Sequence, residues 1–263
     1  MNAMKWGIGV PGALGPKVIG QLAALAERSG YQGFWFNCVA PAADPSALLD
    51  AALVATDGID IGVGVIPLSG YPAATLASRL RGSRADDPRV VLGVGSGAGR
   101  RGALHRVSDG IAQLRHAVPR ARIAVGGKGP RMLALGAGFA DALLFSMFRP
   151  DEAHAVTRDL QAVDGRAVPM YTYHRVALDP GAHARLQHEM VSHGAWPADD
   201  VRTPSGPELL GTVLPSRADA PHLVAADLVA YPDDWRPVLR PLPRQPGELD
   251  DWLDLFRLLA PAD

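Results

Sequence analysis

Cysteine is all but missing from this chain. Cys38 is the one thiol in 263 residues, so an intrachain disulfide framework is excluded and a reducing, cytoplasmic setting is expected. Neither sign of charge is in excess: 26 Lys and Arg stand against 27 Asp and Glu, which leaves no basic footprint for nucleic acid or an anionic membrane. No hydrophobic stretch is long enough for a bilayer; residues 132–148 form the longest, and Asp141 and several glycines interrupt it. The opening residues, MNAMKWGIGVPG, lack the basic-then-apolar order of a signal peptide. Metal and nucleophile motifs are missing as well. His183, His188 and His193 recur every five residues, which scatters them round a helix and excludes an HExxH zinc pair. They read as solvated surface histidines, and no metal is expected. Ser96 lies in VGSGAG, which is not a GxSxG nucleophile elbow. What remains is a soluble protein whose partner is a small molecule.

What is present is a core and a rhythm. Apolar residues make up 48% of the chain and charged ones 20%, enough for a sizeable interior. Short apolar runs alternate with helical patterns. Strands are expected at residues 5–12, 33–39, 60–68, 89–97, 122–127, 141–148, 168–178 and 226–232. Helices are expected between them, the second opened by Asp44 as its cap with Pro45 in the first turn, and that over 100–118 short and weakly patterned. A last helix places Trp252, Leu255, Phe256 and Leu259 on one face. Eight strands alternating with helices indicate an α/β protein, a (β/α)8 TIM barrel formed as a single domain over residues 1–263. The proline-rich piece 232–246 reads as a loop over strand eight.

In such a barrel the site lies at the C-terminal strand ends. Those ends carry Gly9, Asn37 and Cys38, Gly64 and Val65, Gly95-Ser96-Gly97, Gly126-Gly127-Lys128, Ser146 and Met147, the Tyr173-His174-Arg175 region, and Tyr231 to Asp233. The set is poor in acids and bases and rich in glycine, which favours a large flat ligand over a carboxylate pair or metal cluster. The fifth end is the most informative. Gly126, Gly127, Lys128, Gly129 and Pro130 lead into a helix beginning near Arg131, and glycines before a helix N-terminus let the backbone approach an anion. An ordinary tight turn uses the same residues, and the loop by itself leaves the two readings open. Residues 97–102 fit GxGxxG, but the next strand ends in glycine where a ribose-binding acid is needed, so the dinucleotide reading is rejected. Cys38 reads as a buried, inert thiol. His174 is either a packing residue within a strand or a catalyst, and Arg100 and Arg101 are either phosphate ligands or solvated.

Four segments taken together, residues 33–56, 60–80, 89–97 and the glycine loop with its helix and following strand, resemble the luciferase-like superfamily of flavin- or coenzyme F420-dependent oxidoreductases. The resemblance implies a luciferase-like barrel with the flavin or deazaflavin ring at the mouth. It places a strand-three bulge with a cis peptide at Gly64-Val65 against one face of the ring. The cofactor's phosphate would lie on Gly126, Gly127, Lys128 and Gly129, with Pro130 and Arg131 opening the helix and Gly95, Ser96 and Gly97 nearby. It also implies a homodimer, and hydride transfer between F420 (alternatively FMN) and a small organic substrate, as a monooxygenase or a reductase or dehydrogenase. Asn37 and His174 are the polar groups offered as catalytic. The chain departs from the family in three places. Asn37-Cys38 stands where an Asp-His pair is frequent, Ala98 where some F420-dependent members have a glutamate, and only 22 residues, 100–121, separate strands four and five. The loops are thus shortened. A non-catalytic flavin- or F420-binding protein on the same fold is the alternative. A phosphate-binding barrel lyase or isomerase is a third, for which no lysine or carboxylate is well placed.

Overall fold

The computed structural model describes residues 6–38, 44–99, 101–146, 148–164, 168–192, 211–218 and 220–261; Arg100, Met147 and His193 lie outside the described residues. Strands β1 (Gly7–Pro11), β2 (Gly33–Asn37), β3 (Asp60–Pro67), β4 (Val90–Gly95), β5 (Arg122–Gly126), β6 (Ala142–Ser146) and β7 (Met170–Leu178) run parallel, each followed by a helix. The helices are α1 (Gly15–Arg28), α2 (Pro45–Val54), α3 (Ala73–Arg81), α4 (Ala103–Ala117), α5 (Pro130–Phe139), α6 (Pro150–Asp164) and α7 (Ala182–Ser192). Then come β8 (Gly211–Leu214), α8 (Ala220–Leu228), β9 (Trp235–Pro241) and α9 (Leu249–Leu258). Strand β9 pairs with both β1 and β7, and β6 with β7, so β1 to β7 and β9 close an eight-stranded (β/α)8 barrel. Strand β8 lies outside the ring and pairs with Arg175–Leu178, the part of β7 that runs past β6.

Three expectations need correction. Residues 226–232 are not a strand: they hold the end of α8 and the turn after it. Ala220, Val224 and Leu228 are buried at a four-residue interval, which is a helical stripe. A short apolar run does not by itself separate a buried strand from a buried helix, and here the helix wins. The eighth barrel strand is instead WRPVLRP, inside the piece read as a loop. Its prolines, Pro237 and Pro241, fall outside the residues that pair with β1, so the ladder tolerates them. Lastly, α4 is a regular helix of 15 residues, with Val107, Gly110, Ile111, Leu114 and Ala117 buried. Gly110 belongs to that stripe because Leu68 fills its place; a Cβ there would lie 2.6 Å from Leu68 Cδ1.

The period of two along each strand divides the buried residues into two cores. Outward-facing side chains pack beneath the helices, and α9 closes over β1 and β2 with Trp252, Leu255, Phe256 and Leu259 all buried. The amphipathic face expected for that helix is therefore present. Inside the barrel, Trp35, Val91, Ala124, Ala142, Leu144, Tyr171 and Val238 form a separate plug. Trp35 dominates it, with its ring 4.7 Å from that of Tyr171, and Gly62 makes room for it: a Cβ at Gly62 would lie 2.1 Å from the indole. Below the plug, Arg122 pairs with Asp60 at 2.6 Å. Among the described residues, these side chains fill the barrel interior below the level of Leu144, and the larger opening is at the mouth.

Candidate active site

At the C-terminal end of the barrel lies a cavity of about 450 Å³, within the range that holds small ligands. Its lining comes from every strand between β2 and β7 except β4, and from β9. One wall is the end of β3. Gly64 pairs with Gly93 and Ile66 with Val94, so Val65 is an extra residue and β3 bulges there. The bulge turns both Gly64 and Val65 towards the lumen, where alternation alone would show one of them. The Gly64–Val65 peptide bond is cis. From across the barrel, the Tyr173 hydroxyl on β7 donates to the Gly64 carbonyl at 3.0 Å. The Val65 side chain packs on two bare backbones, since a Cβ at Gly126 would lie 2.4 Å from Val65 Cγ1 and one at Gly95 3.4 Å from Cγ2. Glycine at 95 and 126 therefore seats the bulge.

The glycine loop forms the adjoining rim. Gly129 caps α5 and Pro130 occupies its first turn, as the sequence indicates. The opening N–H groups of a helix lack intrahelical partners and favour an anion. Gly126, Gly127 and Lys128 line the cavity, and the Lys128 ammonium sits 5.2 Å from the centre of the Phe148 ring. Gly129, Pro130 and Arg131 are exposed beyond the cavity wall. Gly95, Ser96 and Gly97 do not line it either. Gly97 takes a positive φ of 68° and approaches Ser69 so closely that a Cβ would lie 2.1 Å from its hydroxyl.

The two residues offered as catalytic are separated by the structure. Asn37 lines the cavity, its side-chain oxygen accepting from the Gly12 N–H at 3.1 Å, which leaves its amide as a hydrogen-bond donor. His174 does not reach the cavity. With Tyr173 and Arg175 facing inward, the intervening residue must face out, and His174 lies in a buried network outside the barrel. Its ring nitrogens meet Thr212 Oγ1 at 2.9 Å and the Tyr231 hydroxyl at 3.3 Å, and Thr212 bonds Asp227. Burial pulls its pKa down to about 4, with Arg175 acting in the same direction, so it is a neutral structural histidine. Cys38 borders the cavity but is buried, and its pKa is pushed up to about 12 by burial and then Asp44; the thiol is inert, as read from the sequence. His183 and His188 are exposed on α7. No group of three or more metal-ligating side chains occurs among the described residues.

Sequence reasoning placed the Arg175 region at a strand end without giving the arginine a role, and it missed Arg240. Arg175 and Arg240 line the cavity beside Glu189 of α7, with Arg175 3.5 Å from Glu189. Burial lowers the pKa of Arg175 to about 10, against the pull of Glu189 and with the push of Arg240. The signal was there to find. Tyr171, Tyr173 and Arg175 on β7, and Arg236, Val238 and Arg240 on β9, alternate on one face of their strands. Arg240 was hidden because its strand was taken for a loop.

Full-length likenesses among solved structures follow this geometry. An F420-dependent secondary alcohol dehydrogenase, solved with an F420–acetone adduct, matches with a TM-score of 0.68 and 15% identity, over 97% of this chain and 98% of that one. The fold is the luciferase-like barrel. The same barrel in apo-MsnO8 matches with a TM-score of 0.69 and 20% identity, over 97% of both chains. The oxygenating constituent of 3,6-diketocamphane monooxygenase from Pseudomonas putida, in complex with FMN, matches with a TM-score of 0.61 and 14% identity, over 98% of this chain and 97% of that one. At these identities the shared property is the luciferase-like fold. No protein-family model matches the sequence, and no curated protein sequence does.

Proposed function

We propose that the protein is an oxidoreductase that holds F420, or alternatively FMN, at the barrel mouth and transfers a hydride between it and a small organic substrate. The observation that carries this reading is the bulge at Gly64-Val65, facing the cavity beside the glycine loop. It forms a wall fixed by Tyr173 from across the lumen and seated on Gly95 and Gly126. A planar ring fits against such a wall, with Leu144 and Phe145 as apolar neighbours, and an anionic tail fits the loop at Gly126 to Lys128. Solved luciferase-like barrels of full matching length contain such cofactors, among them an F420–acetone adduct and FMN. When bound, the cofactor would supply the redox chemistry, and the protein would supply binding, orientation and exclusion of water.

This chain's own residues divide those tasks. The bulge and Leu144 position the ring, and the loop with Lys128 takes the phosphate. Asn37 presents a fixed amide donor to whatever lies above the ring. Three of the polar side chains at the wall are poor proton donors at neutral pH: Asn37 does not ionise, the Cys38 thiol is held protonated, and burial pushes the Tyr173 hydroxyl's pKa up while its proton is committed to Gly64. That observation favours a second reading, a non-catalytic flavin- or F420-binding protein. Absorbance titration of the purified protein with F420 and with FMN tests the first step, and failure of both at micromolar concentration ends the proposal. Reduced cofactor that binds and is then rapidly reoxidised by an organic acceptor supports the enzyme. Bound cofactor that turns over with no acceptor supports the binding protein.

A further inference from the structure

The mouth carries more positive charge than the glycine loop accounts for. Lys128 stands on the loop after β5, whereas Arg175 and Arg240 come from β7 and β9, on the side of the ring away from β3. The Arg175 side chain is 4% exposed, and Glu189 is the carboxylate beside it. Its other bonds go to Ser146 Oγ at 3.1 Å and the Tyr173 carbonyl at 3.2 Å, and its Nε is buried without a partner. Arg240 lines the same cavity, where burial opposes its charge and Tyr173 and Glu189 favour it. Two guanidinium groups thus share one neighbouring carboxylate in a cavity that Leu144, Phe145 and Val65 make largely apolar. Charge in such a place is costly unless it is countered, and a guanidinium fork matches a carboxylate or phosphate in shape.

Resting on the reading of the mouth as a cofactor site, we infer that the substrate carries an oxyanion, a carboxylate or phosphate group, seated on Arg175 and Arg240, while the glycine loop keeps the cofactor's phosphate. The cavity then has two anion positions, one at the end of β5 and one shared by β7 and β9. Substrates without an acidic group would lack this anchor.

The test titrates the full chain, free of cofactor, with inorganic phosphate and with succinate at constant ionic strength, following the thermal unfolding midpoint. A saturable rise with at least one anion is expected, and whichever acts more strongly names the substrate's acidic group. Arg240→Gln should weaken the apparent affinity at least tenfold, and Lys128→Gln less than threefold. Arg240→Lys keeps the charge and loses the fork; it should weaken binding about threefold, and it serves alone if the glutamine variant does not fold. Three results overturn the inference: no saturable rise with either anion, equal affinity in the Arg240 variants and the wild type, or a loss confined to Lys128→Gln. Parallel titrations with F420 and FMN separate the two claims. If a cofactor binds but the anions show no dependence on arginine, this inference falls alone. If the anions bind through Arg240 but neither cofactor binds, the proposed function falls and the anion site stands. An Arg240→Gln variant that loses cofactor tenfold while keeping phosphate and succinate assigns the arginines to the cofactor and overturns the substrate claim.

Discussion

Replacing Tyr173 by phenylalanine removes one hydroxyl and tests the link between fold and site. The ring keeps its edge-on contact with Trp35, at 6.3 Å and 86° between planes, so the packing of the barrel plug is preserved. What is lost is the 3.0 Å bond to the Gly64 carbonyl, at a bulge that already departs from the regular ladder. A buried acceptor left bare costs about 1–3 kcal/mol. Gly64 borders the cavity, so water can take the place of the hydroxyl, and the expected loss of stability lies at the lower end, about 1 kcal/mol. The effect on cofactor should be larger than on stability, because binding must then also fix a wall the wild type holds in advance. A tenfold rise in Kd, about 1.4 kcal/mol, is the expected size. Urea unfolding gives the first quantity and cofactor titration the second. If Tyr173→Phe loses stability yet binds cofactor with unchanged affinity, the bulge is not the ring's support and that part of the account is wrong.

Three further outcomes are expected. Gly62→Ala drives a methyl to 2.1 Å from a fully buried indole and should destabilise the fold by about 3 kcal/mol, read as a fall in the urea midpoint at constant slope; a change within 0.5 kcal/mol would mean that Trp35 has room the structure does not show. The neutral His174 has a folded pKa below its unfolded one, so the unfolded chain takes up the proton first as pH falls. Its contribution is intact above pH 6.5 and is lost towards pH 4, at up to about 1.4 kcal/mol per pH unit. His174→Gln should flatten that part of the profile, and an unchanged slope would remove the histidine from the explanation. Cys38 should react with a disulfide reagent at pH 8 at least about a hundredfold more slowly in the native protein than in urea, because its thiolate is suppressed and buried; rapid native labelling would refute the inert thiol.

The barrel was legible in the sequence because its repeating unit is. Seven of the eight barrel strands stand where apolar runs bounded by glycine place them, and Pro45 and Pro130 mark helix starts through the φ they impose. The eighth was not, since Pro237 and Pro241 lower the strand signal of residues 235–241 while the apolar run 226–232 imitates a strand. The same error concealed Arg240. At the site, the glycines at 64, 95 and 126 could be singled out, but what they accommodate, the two methyls of Val65 and the Tyr173 hydroxyl, depends on strands far apart in the chain. Ser96, Gly97, Gly129, Pro130 and Arg131 are neighbours of the cavity in sequence and not in its wall. The bulge at Gly64-Val65 came from resemblance, and periodicity gives no sign of an extra residue until the partner strand is known.

The central claim is that the mouth of this barrel holds a flavin or deazaflavin, and its most direct measurement is the absorbance spectrum of the purified protein followed by titration with F420 and with FMN. The account predicts saturable binding of one of them in the micromolar range or tighter, weakened about tenfold in Tyr173→Phe. No saturable binding of either cofactor by folded protein would contradict it.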